Sequence, residues 1–271
     1  MSIEPVASRT ALGRTHVPDA PPEAVPAIAA RQVTKIYGAS ERHPVAALER
    51  IDLDVRPGEL VCVVGVSGCG KSTLLNLIAG LDAPTAGRLD VRGRTALMFQ
   101  DAALFPWLTV AGNVELALRL RRIPKDERRE RVEALLRTVH LDGFAAKRPH
   151  ELSGGMRQRV AMARAFAQDA DILLMDEPFG ALDALTRNLL HDELESLWAD
   201  RNLTVVFVTH NVREAARLAD RIIVLSSRPG TITATIDVPI ERPRRIESPD
   251  VADLAATVLD QLRREVRRHA H

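Results

Sequence analysis

The segment Gly65-Val-Ser67-Gly68-Cys69-Gly70-Lys71-Ser72 decides the fold of this 271-residue chain. It follows the pattern G-x-x-x-x-G-K-[ST]. Residues 59–64 before it read as a strand, and residues 73–79 after it read as a helix. The pattern requires that strand–loop–helix setting. The glycines let backbone N–H groups turn inward on phosphate oxygens, and the helix N-terminus adds a partial positive charge. Lys71 is placed to reach β- and γ-phosphates, and the Ser72 hydroxyl to hold Mg²⁺. Only 4 of the 37 basic residues are Lys and 33 are Arg, so a motif that demands Lys is the more informative. Cys69 reads as a small filler rather than a nucleophile.

Working outward, three short apolar runs at 60–64, 172–175 and 205–208 are bounded by polar or glycine positions, with helical patterns between them. Runs of this kind fit strands buried on both faces, which predicts an α/β architecture with a mostly parallel sheet. Residues 1–28 are rich in Pro and Ala and read as a disordered tail. Residues 101–160 read as largely helical and 231–240 as a further strand. Residues 251–266 read as an amphipathic helix with Val251, Leu254, Val258 and Leu262 on one face.

Composition removes several functions. Nine aromatic residues, 3% of the chain, are too few for the stacking surfaces of single-strand, RNA or carbohydrate binders. A formal net charge of +1 gives no field to draw the chain onto nucleic acid or anionic lipid. The Arg-rich stretch 126–138 is interleaved with acids, Glu127–Arg131 and Glu133–Arg137 being spaced i,i+4, and reads as a solvated helix face. Cys62 and Cys69 suggest no disulfide framework. No apolar run reaches 18 residues and the N-terminus lacks a secretory pattern, so a reducing cytoplasm is expected.

Two further motifs complete the chemistry. Asp171-Ile-Leu-Leu-Met-Asp176-Glu177 ends an apolar strand in two carboxylates. Beside a phosphate loop, the first can bind Mg²⁺ and the second can polarise an attacking water. Leu152-Ser153-Gly154-Gly155-Met156 begins 87 positions after Gly65 and leads into a helical stretch at 156–166. Alone it is a capped helix N-terminus, which is also an anion site. One triphosphate does not need two such sites from one chain; two chains arranged head to tail could each lend one.

In this order the motifs resemble the ATP-binding-cassette (ABC) family, over roughly residues 31–235. The resemblance implies a P-loop NTPase core with a mostly parallel sheet, an antiparallel β subdomain and an inserted α-helical subdomain at about 101–160. The ABC domain would span 29–235, followed by a C-terminal extension at 236–271. It further implies that Tyr37 stacks on adenine and that Gly65, Ser67, Gly68, Cys69, Gly70, Lys71, Ser72 and Thr73 bind ATP. Ser72, Gln100 and Asp176 would hold Mg²⁺. Glu177, His210 and Gln100 would be the catalytic residues, and Asp183, in Ala181-Leu182-Asp183, the D-loop aspartate. The signature Leu152, Ser153, Gly154, Gly155 and Met156 would act on the partner chain's ATP, with Met156 in place of the commoner Gln. Without the family, Tyr37 reads as a strand residue and His210 as a structural histidine.

The layout resembles an importer's energy subunit. The 87-residue spacing leaves no room for the coiled coil or zinc module of chromosome and repair types, and one cassette is present where translation types carry two. The 61 residues after His210 are too few for a sugar-importer regulatory domain. The stretches 99–101, 104–110, 176–183, 208–215 and 228–230 resemble the nitrate, sulfonate and taurine importer subgroup, with Asn211 where an acidic residue is common. The resemblance implies a homodimer of cassettes, integral membrane permease subunits, and a periplasmic or lipoprotein solute-binding protein acting indirectly. It places the chain peripherally on the cytoplasmic face of the inner membrane, with no nucleic acid as partner. Phe105, Pro106 and Trp107 read either as a small hydrophobic cluster or as a groove for a permease helix. The rival reading is a soluble ABC-type ATPase, nucleic-acid or repair associated, that works without a permease.

Overall fold

The protein is described by a computed structural model over residues 25–39 and 43–268. Six strands form the central sheet in the order β5 (Thr95–Met98), β6 (Ile172–Asp176), β7 (Thr204–Thr209), β3 (Leu60–Val64), β8 (Arg221–Leu225) and β9 (Ile232–Asp237). The first five are parallel, and β9 closes the edge antiparallel to β8. A second, antiparallel sheet runs β2 (Val45–Val55), β1 (Ile28–Tyr37), β4 (Ala86–Val91).

The apolar runs have a direct physical cause. Along β3, Leu60, Cys62 and Val64 face one core while Val61 and Val63 face another. A strand covered on both sides has no position for a polar residue, so alternation disappears. The first core packs β3, β6 and β7, with Met175, Phe207 and Phe179 from the loop after β6, against α4 (Gly154–Phe166), α5 (Ala184–Arg201) and α6 (Val212–Leu218). The second packs the opposite faces against α1 (Lys71–Ile78) and the antiparallel sheet. Phe207 is fully buried, and Phe207→Ala would cost about 3–5 kcal/mol.

Between β5 and β6 the chain inserts α2 (Val110–Leu120), α3 (Lys125–Thr138) and α4, which pack on one another. The charged face of α3 is solvated, as the sequence predicts. Arg131 pairs with Glu127 at 2.6 Å, but Glu133 pairs with Arg129 at 3.0 Å. Arg137 instead turns its Nε to the Glu133 carbonyl at 3.4 Å, because two cations compete for one carboxylate.

At the N-terminus, residues 1–24 of the expected tail lie outside the described residues. The boundary at 28 needs correction. Ala27 and Ile28 are buried, and Ala27 is tied to Val55 and Arg92 by backbone hydrogen bonds. At the other end α7 (Pro249–Arg268) lays Val251 and Ala255 on Ala216 of α6. Arg244 pins the preceding segment: buried, it donates to the carbonyls of Arg217, Ala219, Val238 and Ile240. Burial, then repulsion from Arg242, lowers its pKa to about 10. Among the described residues, no helix is long and apolar enough to cross a membrane.

Candidate active site

The topology delivers one functional segment from the carboxyl end of each of four neighbouring strands. The phosphate loop follows β3, Gln100 follows β5, Glu177 follows β6 and His210 follows β7. Ligand chemistry in open α/β sheets gathers at that end.

The loop is held by its own lysine and by close packing. Lys71 is buried, and its Nζ donates to the carbonyls of Gly65 at 2.9 Å and Val66 at 3.0 Å. Gly70 caps α1 with φ +100°, and a Cβ there would stand 2.7 Å from the Ala47 carbonyl oxygen. Only glycine takes that conformation and that approach without strain. Cys69 is fully buried and its thiol pKa is raised by burial, which fits a filler.

A cavity of about 280 Å³ opens over this loop. Ser67, Gly68, Gly70, Lys71, Ser72 and Thr73 form its floor, and Gln100 and Glu177 line it from the strand ends. Tyr37, at the end of β1 and 41% exposed, lines it from the antiparallel sheet. Lys35 Nζ lies 5.0 Å from the Tyr37 ring centroid and is itself anchored on Asp82 at 2.6 Å. A larger hollow of about 540 Å³ lies at the opposite ends of the strands, but its Arg94 and Arg201 are bonded to Asp169 and Asp171 and it has no phosphate loop.

The carboxylates differ in environment. Asp176 is buried; desolvation raises its pKa, partly opposed by a hydrogen bond from the Ser72 hydroxyl. Glu177 takes a left-handed backbone, φ +46°, rare for a residue with a side chain, while its N–H bonds the Val208 carbonyl at 2.9 Å. Its Oε2 meets His210 Nδ1 at 3.0 Å and Gln100 Nε2 at 3.4 Å.

The signature residues are placed elsewhere. Leu152 is buried in the core, whereas Ser153 and Gly154 are exposed. Ser153 Oγ accepts from Met156 N at 3.2 Å and caps α4. None of the five lines the Lys71 cavity. A Cβ on Gly155 would touch Leu182 at 3.0 Å, so the signature abuts the D-loop. Asp183 caps α5, its Oδ1 accepting from Thr186 N at 2.9 Å. The segment after Gln100 holds Phe105 and Trp107 together, with ring centroids 5.4 Å apart, and Trp107 is 68% exposed.

Several residues of the site are absent from the sequence reading. Val45, Ala47 and Arg228 also line the cavity. Arg228 Nε donates to the Gly68 carbonyl at 3.3 Å, and the Arg228-Pro-Gly230 turn is bonded to β2 through Gly230 and Ala47. Gln158, buried on α4, donates to the Gln100 carbonyl at 3.2 Å. Asn113, fully buried on α2, bonds both the N–H and the carbonyl of Phe105. A lone polar residue on an otherwise apolar helix face is the signal that marks Gln158 and Asn113.

A glycine loop that feeds a helix from the end of a parallel strand and is faced by strand-end carboxylates defines the P-loop class of nucleoside-triphosphate hydrolases. A family profile described as ABC transporter matches residues 48–180. An aliphatic sulfonates import ATP-binding protein of Agrobacterium fabrum is 47% identical over 245 residues, 89% of this chain and 86% of that protein. A taurine import ATP-binding protein of Burkholderia pseudomallei is 43% identical over 254 residues, 88% of this chain and 97% of that protein. A solved dimer of an ATP-binding cassette, in a post-hydrolysis state bound to ADP and Pi, matches with a TM-score of 0.73 at 34% identity, over 79% of this chain and 100% of that one. The chain belongs to the ABC transporter family and is an ATPase.

Proposed function

We propose that this chain is the energy-coupling subunit of an importer for small anions of the sulfonate, taurine or nitrate type, and that it hydrolyses ATP between two copies arranged head to tail. The observation that carries the dimer is the division of the motifs. Lys71, Ser72, Gln100 and Glu177 share one cavity, while the exposed Ser153 and Gly154 lie outside it on the same chain. Each site would therefore combine the phosphate loop and carboxylates of one chain with the signature of the other. A solved cassette to which this chain is similar is a dimer, which supports a two-chain reading.

In this reading Tyr37 stacks on the base, and the loop N–H groups with Lys71 hold the phosphates. Glu177 orients and deprotonates the attacking water, and His210 holds both that water and the γ-phosphate. Gln100 joins them, its amide already within reach of Glu177. The donor set of Ser72, Asp176 and Gln100 is made of hard oxygens and fits Mg²⁺, which neutralises phosphate charge when bound. Catalysis is then mainly positioning and charge stabilisation.

The relatives' names support the importer class. The subunit would lie peripherally on the cytoplasmic membrane face, with Phe105, Pro106 and Trp107 against a cytoplasmic helix of the permease. Purification of the tagged chain from detergent extract tests this reading. Co-purification of a membrane permease, and ATPase stimulated by a sulfonate with its binding protein in the reconstituted complex, are expected. A chain that emerges without any membrane protein would favour the permease-free ATPase instead.

A further inference from the structure

Behind the active site, α5 and α6 bury a polar cluster that the catalytic reading does not use. Glu214, on α6, is buried, and its Oε2 accepts from Thr209 Oγ1 at 2.6 Å. The same hydroxyl accepts from Asn211 N at 3.0 Å. One hydroxyl thus ties down the residues on both sides of His210, and Glu214 holds that hydroxyl.

The other oxygen of Glu214 faces the D-loop helix. Arg187, in the first turn of α5, donates from Nη2 to the carbonyl of Leu182 at 2.9 Å, within the D-loop. Its Nε lies 3.4 Å from Glu214 Oε1. His191, one turn further along α5 and fully buried, has its Nε2 3.9 Å from the same oxygen. Arg217 donates to His191 Nδ1 at 2.9 Å. A guanidinium can only donate, so Nδ1 carries no proton and the ring N–H is at Nε2, aimed at Glu214.

Neither of those two N–H groups makes a hydrogen bond: Arg187 Nε and His191 Nε2 are both buried without an acceptor. Buried donors left unpaired are costly, and here both lie within 4.0 Å of one carboxylate oxygen. Arg187 Nε is already at bonding distance and lacks only alignment, so a rotation of its guanidinium together with an approach of His191 by about 1 Å would bring both into bonding geometry. The Arg187 end of this contact is fastened to the D-loop, whose Asp183 and Ala181 are exposed beside the signature Gly155.

We propose that Arg187 and Glu214 form a positioning relay: engagement of the D-loop by a second cassette draws Arg187 and His191 onto Glu214, and Glu214 through Thr209 fixes His210 for hydrolysis. The inference rests on the reading of His210 given above. None of the four relay residues touches nucleotide; they act through His210.

The relay is tested by steady-state ATPase on the full chain, with kcat and KM measured separately and unfolding midpoints recorded. Thr209→Val keeps the volume and loses the hydroxyl, whereas Thr209→Ser keeps the hydroxyl and loses a methyl. The relay predicts kcat lowered about tenfold in Thr209→Val, with KM for ATP unchanged within about twofold, and recovery in Thr209→Ser. A packing role predicts the reverse order. Glu214→Gln should lower kcat similarly in the parent, yet leave the residual rate of His210→Ala unchanged. Wild-type kcat in Thr209→Val, a change in KM alone, or an equal further loss from Glu214→Gln in the His210→Ala background would overturn the relay. Full turnover by His210→Ala alone would instead remove the reading of His210 on which the relay stands.

Discussion

His210 Nδ1 lies 3.0 Å from Glu177 Oε2, so the residue that follows β7 and the residue that follows β6 meet across two neighbouring strands. Gln100 reaches the same oxygen at 3.4 Å from the end of β5. Three strand ends therefore aim their polar side chains at one carboxylate. A carboxylate held this way is suited to orient water and accept its proton, and an amide in its place keeps the shape without the basicity. Glu177→Gln should lower kcat by at least about a hundredfold and leave ATP binding intact, giving an ATP-bound dimer by size-exclusion chromatography. Rapid hydrolysis by this variant would remove Glu177 from the base position.

Lys71 is buried and held by two loop carbonyls, so its ammonium is positioned before any phosphate arrives. Lys71→Ala should cost about 1.5–3 kcal/mol of nucleotide binding, roughly 10- to 100-fold in Kd, read by titration calorimetry. Unchanged affinity would take the phosphate cradle out of the account.

Trp107 sits on a turn clamped by the buried Asn113, and most of its surface is exposed. Truncating it removes little from the core. Trp107→Ala should keep ATPase within about twofold and the unfolding midpoint nearly unchanged, because surface changes are usually within about 0.5 kcal/mol. Co-purification with the membrane subunit should be lost. Undiminished co-purification would return Phe105, Pro106 and Trp107 to the simpler reading of a hydrophobic cluster.

His191 gives a pH signature. Burial first, then the charges of Arg217 and Arg187, lowers its pKa from 6.5 to about 3. Between those values the unfolded chain binds a proton that the folded chain refuses, so stability falls as pH drops below 6.5. At pH 5 the loss from this residue alone is about 2 kcal/mol. His191→Asn keeps an acceptor for Arg217 and cannot titrate, so its urea midpoint should fall less between pH 7.5 and pH 5 than that of the parent. Equal losses in both would show that His191 is protonated in the folded state.

The sequence made the segments of the candidate site legible because each is local. The pattern around Lys71, the apolar strand into Asp176 and Glu177, and the capped Leu152–Met156 stretch carry their chemistry within a few residues. The parallel strands were legible for the same reason, since burial on both faces erases alternation in β3, β6 and β7. What escaped depends on register across the whole fold. Arg228 reaches Gly68 from 160 positions away, and Gln158 holds Gln100 from 58 positions away. No local pattern announces the Arg228 contact, and the lone polar position of Gln158 on an apolar helix face marks the residue without naming its partner. The cluster of His191, Arg217 and Glu214 escaped likewise, because polar residues on a helix read as solvated until the neighbouring helix is in place. The tail boundary failed by a few residues, since Ala27 and Ile28 look like their Pro- and Ala-rich surroundings until they pair with Val55 and Val91.

The central claim is that each ATP site is shared between two chains, and mixing two inactive variants tests it most directly. Lys71→Ala disables the phosphate loop of its own chain, and Ser153→Arg disables the signature offered to the partner. A mixed dimer would contain one doubly defective site and one intact site. The account predicts that each variant alone is inactive and that an equimolar mixture recovers about a quarter of the wild-type ATPase, half the dimers being mixed with one of two sites working. A mixture as inactive as its components would contradict the shared site.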